Sequence, residues 1–170
     1  MPANLDSALQ AQRTAADAFK AAALEVPDSL WNVPRAPGKW SPAQVVDHVG
    51  VSTKVARDAI AEKAGMGGVP KLLRWMARKF YFAKVMANGF PKVGKGPPVF
   101  APAHDPMPRP DLITRLDAEV AAMESDVRAA AAAGKTTFEH TFFGRLAVAD
   151  YVMFNALHLD HHREQLPGSG

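Results

Sequence analysis

Apolar side chains recur at steps of three and four from Leu5 to about Val26 (Leu5, Ala8, Leu9, Ala16, Phe19, Ala23), interrupted once by Gln12, and predict a first helix. Pro27 and Asp28 end it. Leu30, Trp31, Val33, Pro34 and Pro37 form a connector whose apolar side chains should fold back onto the core. The sharpest local signal comes next. Ser41 is placed to cap a free helix amide, Pro42 suits the first helical position, and Gln44 stands where a capping box requires it. Trp40 and Val45 flank that cap as a hydrophobic staple. The stripe Val45, His48, Ser52, Val55, Ala59 then sets His48 among inward-facing positions, and Gly65, Gly67 and Gly68 close the helix near Lys63.

Pro70 to Met86 predicts a shorter helical stretch rich in Leu72, Leu73, Trp75, Met76, Phe80, Phe82, Val85 and Met86. Gly89 to Pro110 holds seven of the chain's 14 prolines and reads as an extended crossover or lid without regular structure. Helical spacing returns from Asp111 to about Ala133 through Leu112, Ile113, Leu116, Val120, Met123 and Val127, with Gly134 as the stop. Lys135 to Arg145 reads as a loop. The last helix runs from about Ala147 to Leu166; it is apolar on nearly every side, which places it centrally. With no strand pattern and no internal repeat, the expectation is all-α. It is a four-helix bundle with one additional short helix and a long proline-rich crossover between the second and third main helices. Residues 1–170 are expected to form a single domain, with 63–110 as a basic, proline-rich insertion.

Composition narrows the chemistry. A chain of 170 residues that is 48% hydrophobic and 22% charged is large enough to bury a core and unlike a disordered segment. It has no cysteine, which excludes disulfides, thiolate ligands and a cysteine nucleophile, so a metal site must be built from His, Asp and Glu. Asp6, Arg13, Asp17 and Lys20 break the first 26 residues, which therefore lack the apolar run of a signal peptide; no segment reads as a membrane span, and the cytoplasm is the expected compartment.

The net charge of +3 conceals an asymmetry: Lys63 to His104 contains eight Lys or Arg residues and no acid, while all 17 acids lie elsewhere. Trp75, Phe80, Tyr81 and Phe82 interleave these cations, a pattern that suits a nucleic-acid or membrane-surface binder through residues 63–95. It equally suits an amphipathic cover that packs on the bundle or on a second subunit of a homodimer and keeps its cations in water. The scatter of charge around the helix favours the cover.

Three of the six histidines fall between His158 and His162. Residues four apart on a helix share a face about 6 Å apart along the axis, so His158 and His162 suit a chelate, and inward-facing His48 supplies a third imidazole from a facing helix. His161 is the alternative to His162, at i, i+3 from His158. His162 shares its face with Asn155 and Tyr151, polar groups able to support a ligand, whereas His161 shares its face with Phe154 and Leu157. Gln165 is a further supporting candidate, because ligating imidazoles donate their other N–H to a partner. Asp47 points about 100° away from His48. His140, in the loop before the last helix, is a candidate acid, base or substrate contact, or simply a loop hydrogen-bonding group.

Pro37-Gly-Lys-Trp40-Ser41-Pro42-Ala-Gln44-Val45-Val46-Asp47-His48, His140-Thr-Phe-Phe143-Gly144-Arg145-Leu146 and His158-Leu-Asp-His161-His162-Arg163-Glu-Gln165-Leu166 together resemble, in order and spacing, the DinB/YfiT-like family. Members of that family are regarded as metal-dependent proteins, many without an assigned reaction. The resemblance implies a divalent metal, commonly zinc or nickel, held by His48, His158 and His162. It also implies that a low-molecular-weight thiol serves some relatives as cosubstrate in transferase or isomerase reactions. Two features depart from the family pattern: Ala147 stands where a Thr or Ser cap is usual, and the Met66 to Pro110 segment is longer and more basic.

Three neutral imidazoles with one open coordination position are the arrangement of catalytic zinc, which lowers the pKa of bound water to about 7 or stabilises a thiolate. The expected function is a small metal-dependent enzyme, a thiol-dependent transferase or hydrolase acting on a small-molecule substrate. With no cysteine of its own, the chain needs an external thiol. The competing expectation is a non-catalytic, stress-related metal- or ligand-binding protein, whose site a fourth protein ligand would close.

Overall fold

Helix boundaries follow local chemistry. The structure, a computed structural model, describes residues 4–61, 69–91, 100–103, 105 and 107–168. Helix α1 (Leu5–Glu25) starts at Asn4, whose side chain accepts from the Asp6 amide at 2.9 Å. A single turn, α2 (Asp28–Trp31), folds the connector back and buries Trp31. Helix α3 (Pro42–Ile60) opens with the capping box: the Gln44 amide donates to Ser41 Oγ at 3.3 Å and the Ser41 amide donates to Gln44 Oε1 at 3.1 Å. Trp40 packs on the cluster that contains Val45. The residues read as the end of this helix (Lys63, Gly65, Gly67, Gly68) lie outside the described residues, as do Lys92 and Lys95.

Helix α6 (Arg109–Ala132) begins two residues earlier than the sequence suggests, because Pro110 fits a first turn whose amides need no partner. Gly134, at φ 75°, ends it: Lys135 N–H donates to the Ala130 carbonyl and Gly134 N–H to that of Ala131, each at 2.9 Å, the paired bonds of a Schellman motif. Helix α7 (Val148–Arg163) has no side-chain cap at Ala147; instead Val148 N–H donates to the Thr136 carbonyl at 3.0 Å, and Asp150 lies in the first turn, where the helix dipole favours an acid.

α1 packs chiefly on α7 and α3 on α6, while α7 also meets α3, so the four long helices form an all-α bundle. One part of the core gathers Phe19, Val46, Val49, Leu112, Leu116 and Leu159; another gathers Leu9, Ile60, Met123, Val127, Phe138 and Val152. Arg57 on α3 lies 2.9 Å from Glu119 on α6, adding an ion pair at the α3–α6 seam.

Two segments differ from the sequence reading. Residues 137–147 are not a loop: β1 (Thr137–His140) pairs antiparallel with β2 (Gly144–Ala147), with Phe138 opposite Leu146 and His140 opposite Gly144. Phe138 and His140 are buried while Glu139 is exposed, an alternation only four residues long and too short to stand out in the sequence. Gly144, at φ 68°, supplies the left-handed conformation that closes the turn.

The basic helical stretch is continuous from α4 (Lys71–Met76) through a π-helical turn (Ala77–Phe82) into α5 (Ala83–Asn88). The wide turn rephases its two ends. Phe82 and Val85 are buried, with Phe82 stacked on Phe154 at 5.1 Å, whereas α4 buries nothing. The stretch therefore covers the bundle through Phe82 and Val85, and α4 does not pack its apolar side chains on it. Arg78 Nη1 donates to the Arg145 carbonyl at 2.8 Å and Arg74 lies 3.7 Å from Glu139, so guanidinium groups face the hairpin while Leu72, Trp75 and Phe80 are exposed.

Ser41→Ala removes the acceptor of the box and should cost about 1 kcal/mol. Urea unfolding should show a lower midpoint at unchanged slope; an unchanged midpoint would mean the cap contributes nothing to the start of α3.

Candidate metal centre

His48 reaches the bundle interior from the inner stripe of α3, and His158 and His162 meet it from successive turns of α7. His158 Nε2 lies 3.3 Å from His48 Nε2 and 3.0 Å from His162 Nε2, and one nitrogen from each ring lies within 4.8 Å of the others. His48 and His162 are buried and His158 is half-buried. The Trp40 ring walls the group on one side, 4.7 Å from the His48 ring, and Phe90 on another, 5.1 Å from His158.

The outer nitrogens fix the tautomers. His48 Nδ1 makes a short hydrogen bond with the Phe100 carbonyl, which can only accept, so the proton sits on Nδ1 and the Nε2 lone pair faces inward. Gln165 Nε2 donates to His161 Nε2 at 2.9 Å, which turns Gln165 Oε1 toward His162 Nδ1 at 3.2 Å; Nδ1 therefore donates and His162 Nε2 also presents a lone pair. Burial is the main cause that holds the pKa values of His48, His158 and His162 below the ordinary 6.5; neighbouring imidazoles add to it at His158 and His162, while the Phe100 hydrogen bond partly opposes it at His48. The group is neutral near neutral pH, the state in which imidazole ligates a metal.

The structure thus brings His48, His158 and His162 together, and Gln165 with them. His161 turns aside: its ring stacks on Phe90 at 5.5 Å and it orients Gln165. Tyr151 does not support the group, because seven residues along a helix is about 10 Å and its hydroxyl meets His140 instead, at 2.9 Å from Nε2. Asn155 is buried, and its Nδ2 has no hydrogen-bond partner among the described residues. His140 is fully engaged. Its Nδ1 accepts from the Phe142 and Phe143 amides at 3.1 and 3.2 Å, so Nε2 carries the proton and donates to Tyr151 Oη. This arrangement fits the hydrogen-bonding reading of His140, which pins the hairpin turn to α7 with both ring nitrogens partnered.

The sequence missed Asp47 as a tether. The buried carboxylate pairs with Arg115 of α6 at 2.5 Å and accepts from the Ala103 amide at 2.7 Å, which secures the crossover whose Phe100 carbonyl holds His48. Arg115 also donates to the Asp47 carbonyl at 3.0 Å. Gly50 leaves room for this, since a Cβ there would stand 3.0 Å from Arg115 Nη2. The only signal in the sequence was the turn of Asp47 away from His48, which gave a direction without a partner.

An all-α bundle with three convergent imidazoles defines the class, a helical protein with a site that can hold a metal ion. The family model of the DinB superfamily matches residues 10–166, and the chain belongs to that superfamily. Neither the curated proteins nor the solved structures provide a significant match. Among the described residues no helix is long and apolar enough to cross a membrane.

Burial lowers the His140 pKa from 6.5 to about 4. Between those values the unfolded chain takes up a proton that the native state refuses. Stability should therefore fall as pH drops from 6.5 toward 4, by about 3 kcal/mol at the lower end, with no effect above 6.5. Buried His48, His158 and His162 act in the same direction, so the measurement is a difference: His140→Asn should flatten the loss in urea unfolding of metal-free protein across that window. Equal pH slopes in the two proteins would exclude His140 as a source.

Proposed function

We propose that the protein is a small metal-dependent enzyme in which His48, His158 and His162 hold one divalent ion, zinc or nickel, with a coordination position left open. The observation that carries this reading is the pair of inward lone pairs on His48 and His162, facing His158 Nε2 at 3.3 and 3.0 Å while both Nδ1 protons are committed elsewhere. Lone pairs at such separations repel unless a proton or cation lies among them. Nitrogens bound tetrahedrally at 2.0–2.1 Å stand about 3.3–3.4 Å apart, close to the two separations at His158. Intermediate-soft imidazole donors suit zinc and nickel alike.

A divalent ion held there supplies Lewis acidity that lowers the pKa of a water or thiol ligand. The chain's own groups do the rest. Phe100 and Gln165 fix two ring orientations, and Trp40 and Phe90 keep water from two sides, which strengthens the electrostatics of the site. No cysteine exists to serve as nucleophile, so thiol chemistry draws on a low-molecular-weight cosubstrate and hydrolysis draws on water; a thiol-dependent transferase or a hydrolase acting on a small molecule is the reaction class. The non-catalytic alternative needs a fourth protein ligand. Among the described residues the metal-competent group is these three histidines, and Asp47 is already paired with Arg115, which supports the enzyme reading.

Elemental analysis of purified protein should find one zinc or nickel per chain, lost in His48→Ala, His158→Ala and His162→Ala. Full occupancy in all three variants would refute the site. Asp47→Asn should weaken metal affinity about 10-fold or more in chelator competition, as loss of an outer partner does, without emptying the site. Unaltered affinity would detach the tether from the site.

A further inference from the structure

From Val69 to Pro91 the chain carries Lys71, Arg74, Arg78, Lys79 and Lys84 and no acid. The same stretch exposes Leu72 (67%), Phe80 (60%), Trp75 (53%), Leu73, Met76 and Tyr81, which are six of the ten large exposed hydrophobic residues among those described. At about 100° per residue, Trp75, Leu72, Met76 and Leu73 span one arc of about 160° on α4. Phe80 continues that surface, its ring edge-on to Trp75 at 6.2 Å. On the other side Arg74 and Arg78 meet the hairpin at Glu139 and the Arg145 carbonyl. The two arginines face the protein, and an apolar face accompanied by exposed lysines looks outward, the reverse of an ordinary surface helix.

We propose that this outward face docks on an anionic lipid bilayer, with the bundle lying on the surface without crossing it. Trp favours the headgroup level, and the exposed cations Lys71 and Lys79 beside the apolar arc, with exposed Lys84 further along the stretch, can reach lipid phosphates while their stems stay on the apolar surface. Lys79 already lies along the aromatic surface, its Nζ 4.9 Å from the Trp75 ring. A second copy of the chain is a poorer occupant, because a two-fold contact would set one acid-free basic segment against another. Duplex nucleic acid would be met by apolar side chains where its phosphates need cations. The inference is independent of the metal.

Flotation of the full chain with vesicles tests it. The chain should float at low salt with phosphatidylcholine vesicles containing roughly 30% phosphatidylglycerol, should bind pure phosphatidylcholine weakly, and should be released at high salt. Lys71→Gln, Lys79→Gln and Lys84→Gln combined should weaken binding on the order of a hundredfold, at roughly fivefold per charge. Leu72→Ser with Phe80→Ser should abolish it. All these side chains are exposed, so thermal melting should match wild type. No flotation at low salt, or flotation unaltered by the serine pair, would overturn the proposal. So would a dimer in sedimentation that the serine pair dissolves, or salt-sensitive binding of a DNA duplex with no flotation.

Discussion

The proton on His48 Nδ1 is committed to the Phe100 carbonyl, and the geometry of the histidine group depends on that bond. It directs the Nε2 lone pair inward, and it lasts only while the crossover stays in place. What holds the crossover is the buried Asp47 carboxylate, bonded at once to the Ala103 amide and to Arg115 of α6. A buried carboxylate is costly to leave unpaired, so the three groups form a unit in which removing one exposes the cost of the others. Gly50, one turn from Asp47 on α3, belongs to that unit by leaving the guanidinium its space. Trp40 belongs to it from the other direction: the same capping box that starts α3 seats Trp40 beside His48.

Gln165 does for His162 what Phe100 does for His48, and here the neighbouring histidine matters. His161 accepts from Gln165 Nε2 and so decides which end of the amide faces His162. Three histidines within five residues thus divide into two whose Nε2 atoms meet in the interior and one that orients a support. The contact of His161 with Phe90 carries this arrangement outward to the chain just beyond α5, the helical stretch that Phe82 anchors on Phe154 at its π-helical turn.

What the sequence disclosed was whatever depends on near neighbours. The start of α3 is written within four residues, Ser41 to Gln44, and the i, i+4 spacing of His158 and His162 already fixes their common face. The stripe through His48 is equally local. Features built by distant partners were hidden: Arg115 meets Asp47 from 68 positions away, and Tyr151 is taken by His140 rather than by the histidines on its own face. The hairpin escaped because four alternating residues cannot be told from a loop, and the outward turn of α4 because nothing in the composition of residues 77–82 announces a π-helical turn. His140 was legible as a residue type, but its role came from two amides that only the folded turn brings to it.

The pairing of the long helices carries a consequence of its own. α3 belongs with α6, stitched by Asp47–Arg115 and Arg57–Glu119, while α1 belongs with α7 through close apolar packing. His48 comes from the first pair, His158 and His162 from the second. An ion gripped by all three would be a clasp across the seam between two halves of the bundle, and the folded fraction of the chain would rise and fall with the free concentration of that ion by mass action. In such an arrangement the integrity of the fold is itself a gauge of metal supply.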